Sequence, residues 1–225
     1  MFNSRLLLIC VLPFLTPAQQ SGTVLWGSDL SDGFYGEEPP FDVHETPWLG
    51  LVRRGNIYTL STADLEWHRL ERLVGADGPT FALSSDPPAP LVLFSEVAGL
   101  REGDVEGARP TTLRLSAGSS TAEVRLASRT YEVGLESAYP QECRAVVTLS
   151  DGVAWQELLI EGVLGCGDPH FTIHWAGDLD GDGGLDLVAT FSMKYSYHPR
   201  QLYLSSLAGP EELVALAALT DRTAE

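Results

Sequence analysis

Short β-forming stretches, interrupted at close intervals, limit this chain to one kind of architecture. Trp48–Val52, Ile57–Leu60, Thr80–Leu83 and Leu91–Phe94 are apolar or alternating runs separated by Gly, Pro, Asp and Ser. The theme resumes at Thr112–Ser116, Ala122–Leu126, Thr130–Leu135, Cys143–Leu149 and Val153–Ile160. Alternate side chains of a strand point to opposite faces, so each run can bury one face and leave the other wet. Arg53-Arg54-Gly55-Asn56, Ala117-Gly118-Ser119-Ser120 and Ser150-Asp151-Gly152 read as hairpin turns. Roughly ten or more strands at intervals of about 8–12 residues indicate an all-β fold of sandwich- or barrel-like antiparallel sheets. Two small β subdomains are a variant of that fold. Asp64–Val74 is ambiguous, because it alternates yet is rich in helix formers; its strand neighbours favour strand. Glu211–Leu219 suits a helix by propensity or a closing strand.

Four regions follow along the chain. Residues 1–18 read as a signal peptide: Arg5 is a short positive n-region, Leu6–Leu15 is apolar, and Thr16-Pro17-Ala18 supplies small residues for cleavage. A retained anchor is the alternative, but the run is short for a membrane span, and no stable membrane insertion is expected after signal removal. Residues 19–46 are rich in Gly, Ser, Pro, Asp and Glu and read as a flexible acidic linker, in which only Val24-Leu25-Trp26 looks structured. Asp29, Asp32, Glu37 and Glu38 are expected to be solvated there. Residues 47–108 form an N-terminal β region and residues 109–225 a C-terminal one. The chain is thus expected to be secreted or periplasmic. Removal of the signal leaves Cys143 and Cys166, and an even count in an exported chain favours one disulfide between them. The formal net charge of −17 excludes nucleic acid as a partner, since phosphate binding needs a basic face.

The densest chemistry is at 178–186. Asp178, Asp180, Asp182 and Asp186 place four carboxylates at positions 1, 3, 5 and 9 of one loop. Like charges this close repel unless a cation lies among them. Ca2+ suits them, because it takes six to eight oxygens in a flexible shell. The expected ligands are the side chains of Asp178, Asp180, Asp182 and Asp186 and the backbone carbonyl of Gly184. An EF-hand would need flanking helices and an acid at position 12, where this chain has Ala189. The flanks, Phe171–Trp175 and Leu185–Phe191, instead read as strands. With those strands, Ala176-Gly-Asp-Leu-Asp-Gly-Asp-Gly-Gly-Leu-Asp-Leu-Val-Ala189 resembles the FG-GAP/VCBS-type calcium loop found in integrin-like propellers and many bacterial exported proteins. Gln201–Ser205 resembles the next strand of such a unit. The resemblance covers residues 171–206 and implies a calcium bound between adjacent strands. One copy is present, whereas a propeller needs several.

Other chemistry is sparse. Asp168, His170 and His174 precede the loop and His198 follows it; on an extended strand His170 and His174 share a face. Such a group could bind zinc or do acid–base work, but surface histidines are the plainer reading. Glu157 and Glu161 share one side of a strand without a matching acid pair. Trp48, Trp67, Trp155 and Trp175 would line a sugar-binding face or, more simply, pack in the core. No nucleophile-elbow, zincin or phosphate-loop motif occurs. The expected function is an exported calcium-binding β module with a structural or binding role toward a protein or glycan. The alternative is an exported hydrolase with a motif-less site near His170 and His174.

Overall fold

The computed structural model describes residues 22–32, 34–35, 42–70, 80–116, 121–139, 142–162 and 166–220. The expected signal peptide, residues 1–18, lies outside them. The described chain is almost wholly β. Its first strands are β1 (Thr23–Trp26), β2 (Phe34–Tyr35), β3 (Trp48–Arg54), β4 (Ile57–Leu70), β5 (Thr80–Asp86), β6 (Val92–Ser95), β7 (Gly103–Gly107) and β8 (Leu113–Arg114). There follow β9 (Ala122–Leu126), β10 (Arg129–Tyr139), β11 (Arg144–Ser150), β12 (Trp155–Glu161), β13 (His170–Asp178), β14 (Asp186–Ser192), β15 (Arg200–Leu204) and β16 (Ala215–Thr220). One helical turn, α1 (Asp29–Asp32), follows β1.

Nine strands form a nearly closed barrel in the order β1-β6-β3-β4-β7-β13-β14-β15-β16. A bridge from Gly22 to Ala218 and a hydrogen bond from the Val24 N–H to Thr220 Oγ1 (2.8 Å) bring the first strand back to the last. The inside is filled by Val24, Trp26, Leu51, Tyr58, Leu60, Val92, Phe94, Trp175, Val188, Leu202, Leu204 and Ala218. A separate sheet, β12-β11-β10-β9, lies on the outer face of β13–β15. Its Val124, Val133, Val147 and Leu149 share a core with Phe171, Ile173, Leu187, Ala189 and Phe191. β14 therefore buries both faces, and all seven of its residues are buried. The far half of β4 leaves the barrel to pair with β5, and Leu65 and Leu83 cover the outward sides of Leu25, Trp48 and Leu93.

β13 serves two cores because it carries a bulge. Ile173 pairs with Ala189 and Trp175 with Val188, which leaves His174 as the extra residue. Unbroken alternation would put Ile173 and Trp175 on one face. The bulge keeps Ile173 in the core beneath the separate sheet and turns Trp175 into the barrel.

Several local expectations are met and others are corrected. β3 and β4 form the hairpin expected at Arg53–Asn56, with Gly55 at φ 65°, where a residue without Cβ is unstrained. β11 and β12 form the one expected at Ser150–Gly152. Asp64–Leu70 is strand, and the tail closes as β16 rather than a helix. Thr112–Ser116 and Ala122–Leu126 do not pair with each other. β8 pairs with β13, where the Leu115 N–H bonds the Phe171 carbonyl, while β9 turns directly into β10 through Ala127 and Ser128. The turn residues 117–120 lie outside the described residues. Val24-Leu25-Trp26, in the stretch expected as a linker, forms β1. Strands of the two expected β regions also pair, since β7 joins β4 to β13.

Cys143 and Cys166 form the expected disulfide, with Cα atoms 5.3 Å apart. No helix among the described residues is long and apolar enough to cross a membrane.

Candidate metal centre

The loop between β13 and β14 emerges at one end of the barrel. Its two strands are held in register from Phe171↔Phe191 to Gly177↔Asp186, so the loop ends are fixed by the sheet. Gly181 and Gly183 take φ of 82° and 81°, which folds the chain tightly enough for its side chains to turn inward. One oxygen from each of Asp178, Asp180 and Asp186 lies within 4.8 Å of the others. Asp186 is fully buried, whereas Asp178 and Asp180 are half-buried. Asp182 turns to one side, where the Gly184 N–H (2.7 Å) and Ser205 Oγ (2.8 Å) donate to its Oδ1.

Backbone donors orient these carboxylates. Asp178 accepts from the Gly181 and Gly183 N–H groups at 2.8 and 3.1 Å. Asp186 accepts from the Leu179 N–H at 2.6 Å and the Ser205 N–H at 2.8 Å. Burial nevertheless dominates and raises the Asp186 pKa to about 7; the nearby Asp180 adds to the rise and the hydrogen bonds oppose it. Burial also raises Asp178, with Asp180 and Asp182 adding to the effect. Two carboxylates thus resist ionisation in a group that presents only acidic oxygens. A divalent, oxygen-preferring cation would relieve that cost, and the donor set fits such an ion.

Sequence reasoning missed Ser205 and Ser206. Both follow β15, and their hydroxyls donate into the loop, Ser205 to Asp182 and Asp186 and Ser206 to Asp180. Serines at a strand end carry no signal of their own. Only the β14–β15 pairing brings them to a loop some twenty residues earlier in the chain. Gly184 packs so closely on Ser205 that a Cβ would collide with its Oγ.

The histidines cluster toward the other end of β13. His170 pairs with Ser192 at the far end of the β13–β14 ladder. Its ring meets that of His198 edge-on at 5.8 Å, and His198 meets Tyr195 at 5.9 Å. His174 lies against Trp26 with centroids 4.5 Å apart, and its Nε2 is 3.1 Å from Thr190 Oγ1. Desolvation lowers the pKa of all three. The positive charges of Arg114 and His198 add to this at His170, that of Arg200 at His198, and those of His170, Arg200 and His198 at His174, whose edge still reaches solvent. Asp168 is exposed, and the buried Asp29 is bound by Arg200. Glu157 and Glu161 are exposed on β12. The tryptophans share no face: Trp48 and Trp175 are buried, Trp67 is half-buried and Trp155 is exposed.

Comparison with protein-family models, with curated proteins and with solved structures finds no match.

Proposed function

We propose that this chain is an exported β module whose fold is stabilised by Ca2+ and whose role is structural or a contact with a protein or glycan. One observation carries the reading: Asp178, Asp180 and Asp186 converge within 4.8 Å, the last of them buried, on a loop that joins two adjacent barrel strands. The same loop carries the FG-GAP/VCBS-type pattern. In this reading Asp178, Asp180 and Asp186 hold the ion, joined by the Gly184 carbonyl and by Asp182 once it turns from Ser205. The ion's role is structural, because all its protein ligands come from one nine-residue segment and the histidines lie toward the opposite end of β13. The disulfide supports export, since such bonds persist in oxidising compartments.

Calcium binds the native state only, so it raises stability by about 2.7 kcal/mol at a hundredfold excess over Kd. At roughly 2–4 °C per kcal/mol for a chain of this size, the melting temperature should rise by about 5–11 °C and fall again with EGTA. Asp180→Ala should abolish most of the shift. Identical melting curves with and without millimolar calcium would sink the reading.

A further inference from the structure

A second site lies where the β3–β4 turn faces the connection from β7 to β8. It is an open cleft of about 570 Å³ lined by Arg53, Asn56, Tyr58, Arg109, Thr111 and Thr112, together with Gly107, Ala108 and Pro110. No acidic residue lines it. Arg53 and Arg109 are exposed, and neither has an ion-pair partner among the described residues. Two uncompensated guanidinium groups in one cleft invert the local charge of a chain whose net charge is −17.

The cleft is built rather than incidental. The Arg53 Nε–H donates to the Gly55 carbonyl at 2.8 Å, and the guanidinium lies 5.7 Å from the centre of the Tyr58 ring. That contact restrains the arginine and leaves its terminal nitrogens as donors. Tyr58 packs so closely on Gly107 that a Cβ there would collide with the ring, and its hydroxyl donates to Thr111 Oγ1 at 3.4 Å. Thr112 Oγ1 donates to the His174 carbonyl at 3.2 Å, which ties the other wall to the bulge of β13.

We propose that this cleft binds an acidic saccharide through a carboxylate or sulfate group held by Arg53 and Arg109. Guanidinium forks match planar oxyanions and give charge-assisted hydrogen bonds. The volume far exceeds what a bare ion fills, a water taking about 30 Å³, and falls in the range of small-molecule sites. Asn56, Thr111 and Thr112 supply amide and hydroxyl groups suited to sugar hydroxyls. The site deepens the glycan-contact half of the function proposed above, and it does not depend on the calcium loop.

Titration calorimetry on the full chain, with calcium present, tests this. The probes are a glucuronic-acid oligosaccharide, a sulfated oligosaccharide, the neutral glucose oligosaccharide of equal length and sodium sulfate alone. At least one acidic saccharide should bind, tenfold or more tightly than the neutral sugar or bare sulfate, and the tighter of the two identifies which oxyanion the cleft takes. Arg53→Ala and Arg109→Ala should each weaken it tenfold or more while keeping the wild-type calcium-dependent melting shift. Arg144→Ala, on the separate sheet, should bind as wild type. The proposal is overturned if neither acidic saccharide binds, if the neutral sugar or bare sulfate binds equally well, or if both arginine variants bind normally. Should Arg109→Ala fail to fold, Arg53→Ala and the charged-against-neutral comparison decide. The retained melting shift keeps failure of this site distinguishable from failure of the calcium reading.

Discussion

Asp186 occupies a position that a carboxylate reaches only at a cost. It is fully buried, its two oxygens accept from the backbone of Leu179 and Ser205, and burial lifts its pKa to about 7. The fold thus retains a proton that an unfolded chain releases near pH 4. Its contribution to stability is present below that pH and is lost as pH rises to about 7. A cation reverses the preference, because it requires the ionised form and must displace the proton at lower pH. The stabilisation by calcium should therefore grow as pH rises from 5 to 8, read as the melting-temperature difference with and without calcium. The histidines near His174 titrate alike in both conditions and cancel from this difference. A difference that stays flat over that range would argue against Asp186 as a ligand. The carboxylate spacing was legible in the sequence. The inequality among the four was not, since burial of Asp186 and the swing of Asp182 toward Ser205 depend on a neighbouring strand.

At the scale of elements, the hairpins of high local signal are found where expected, and the weak ones are overruled. Gly55-Asn56 and Ser150–Gly152 close their own strands. The pairing expected across 117–120 gives way to β8 on β13 and β9 on β10. Leu115 gains a buried place against Phe171 that a local hairpin would not provide. The disulfide acts between elements too. Cys143 immediately precedes β11 and Cys166 leads into β13, so the bond links the separate sheet to the barrel across a sequence separation of 23. Closing a loop of that length stabilises by about 3 kcal/mol in the chain-entropy account. The double replacement Cys143→Ala with Cys166→Ala should cost on that order in urea unfolding. A non-reduced digest of exported protein should yield the linked peptides. Free alkylation of both cysteines would refute the bond.

For the whole molecule, the decisive event is closure of the barrel. β1 and β16 come from opposite ends of the described chain and meet through Gly22 and Ala218. Near-closure shortens the unpaired edges that an open sheet would expose. An ion pair secures it. Arg200 of β15 reaches Asp29, just past β1, with Nε to Oδ2 at 3.1 Å and Nη2 to Oδ1 at 2.5 Å. Its guanidinium lies 6.0 Å from the Trp26 ring centre, and the Trp26 backbone N–H also donates to Asp29 Oδ2, at 2.8 Å. Both side chains are almost wholly buried, at 8% and 0% exposure, so the loss of either removes the charge opposite the other. Asp29→Ala and Arg200→Ala should each cost about 3–5 kcal/mol. The double variant should cost less than the sum, because the second change removes the remaining charge. A loss below about 1 kcal/mol in Asp29→Ala would show that the pair does not secure the barrel. Nothing near Asp29 in the sequence marks it as different from the acids around it. Its partner is 171 residues away.

By itself the sequence determined that the chain is all-β, where its best-signalled hairpins turn, which two cysteines pair and which nine residues crowd four carboxylates together. These are local properties, set by two-residue periodicity, glycine-permitted turns and short spacing. Tertiary structure alone decided the rest. It brought the strands round into a nearly closed barrel, turned β13 at the His174 bulge to serve two cores, buried Asp29 against Arg200, brought Ser205 and Ser206 to the loop and gathered Arg53 and Arg109 into one cleft. Each depends on contacts between distant segments, whose energies are settled by packing and desolvation and leave no periodic trace along the chain.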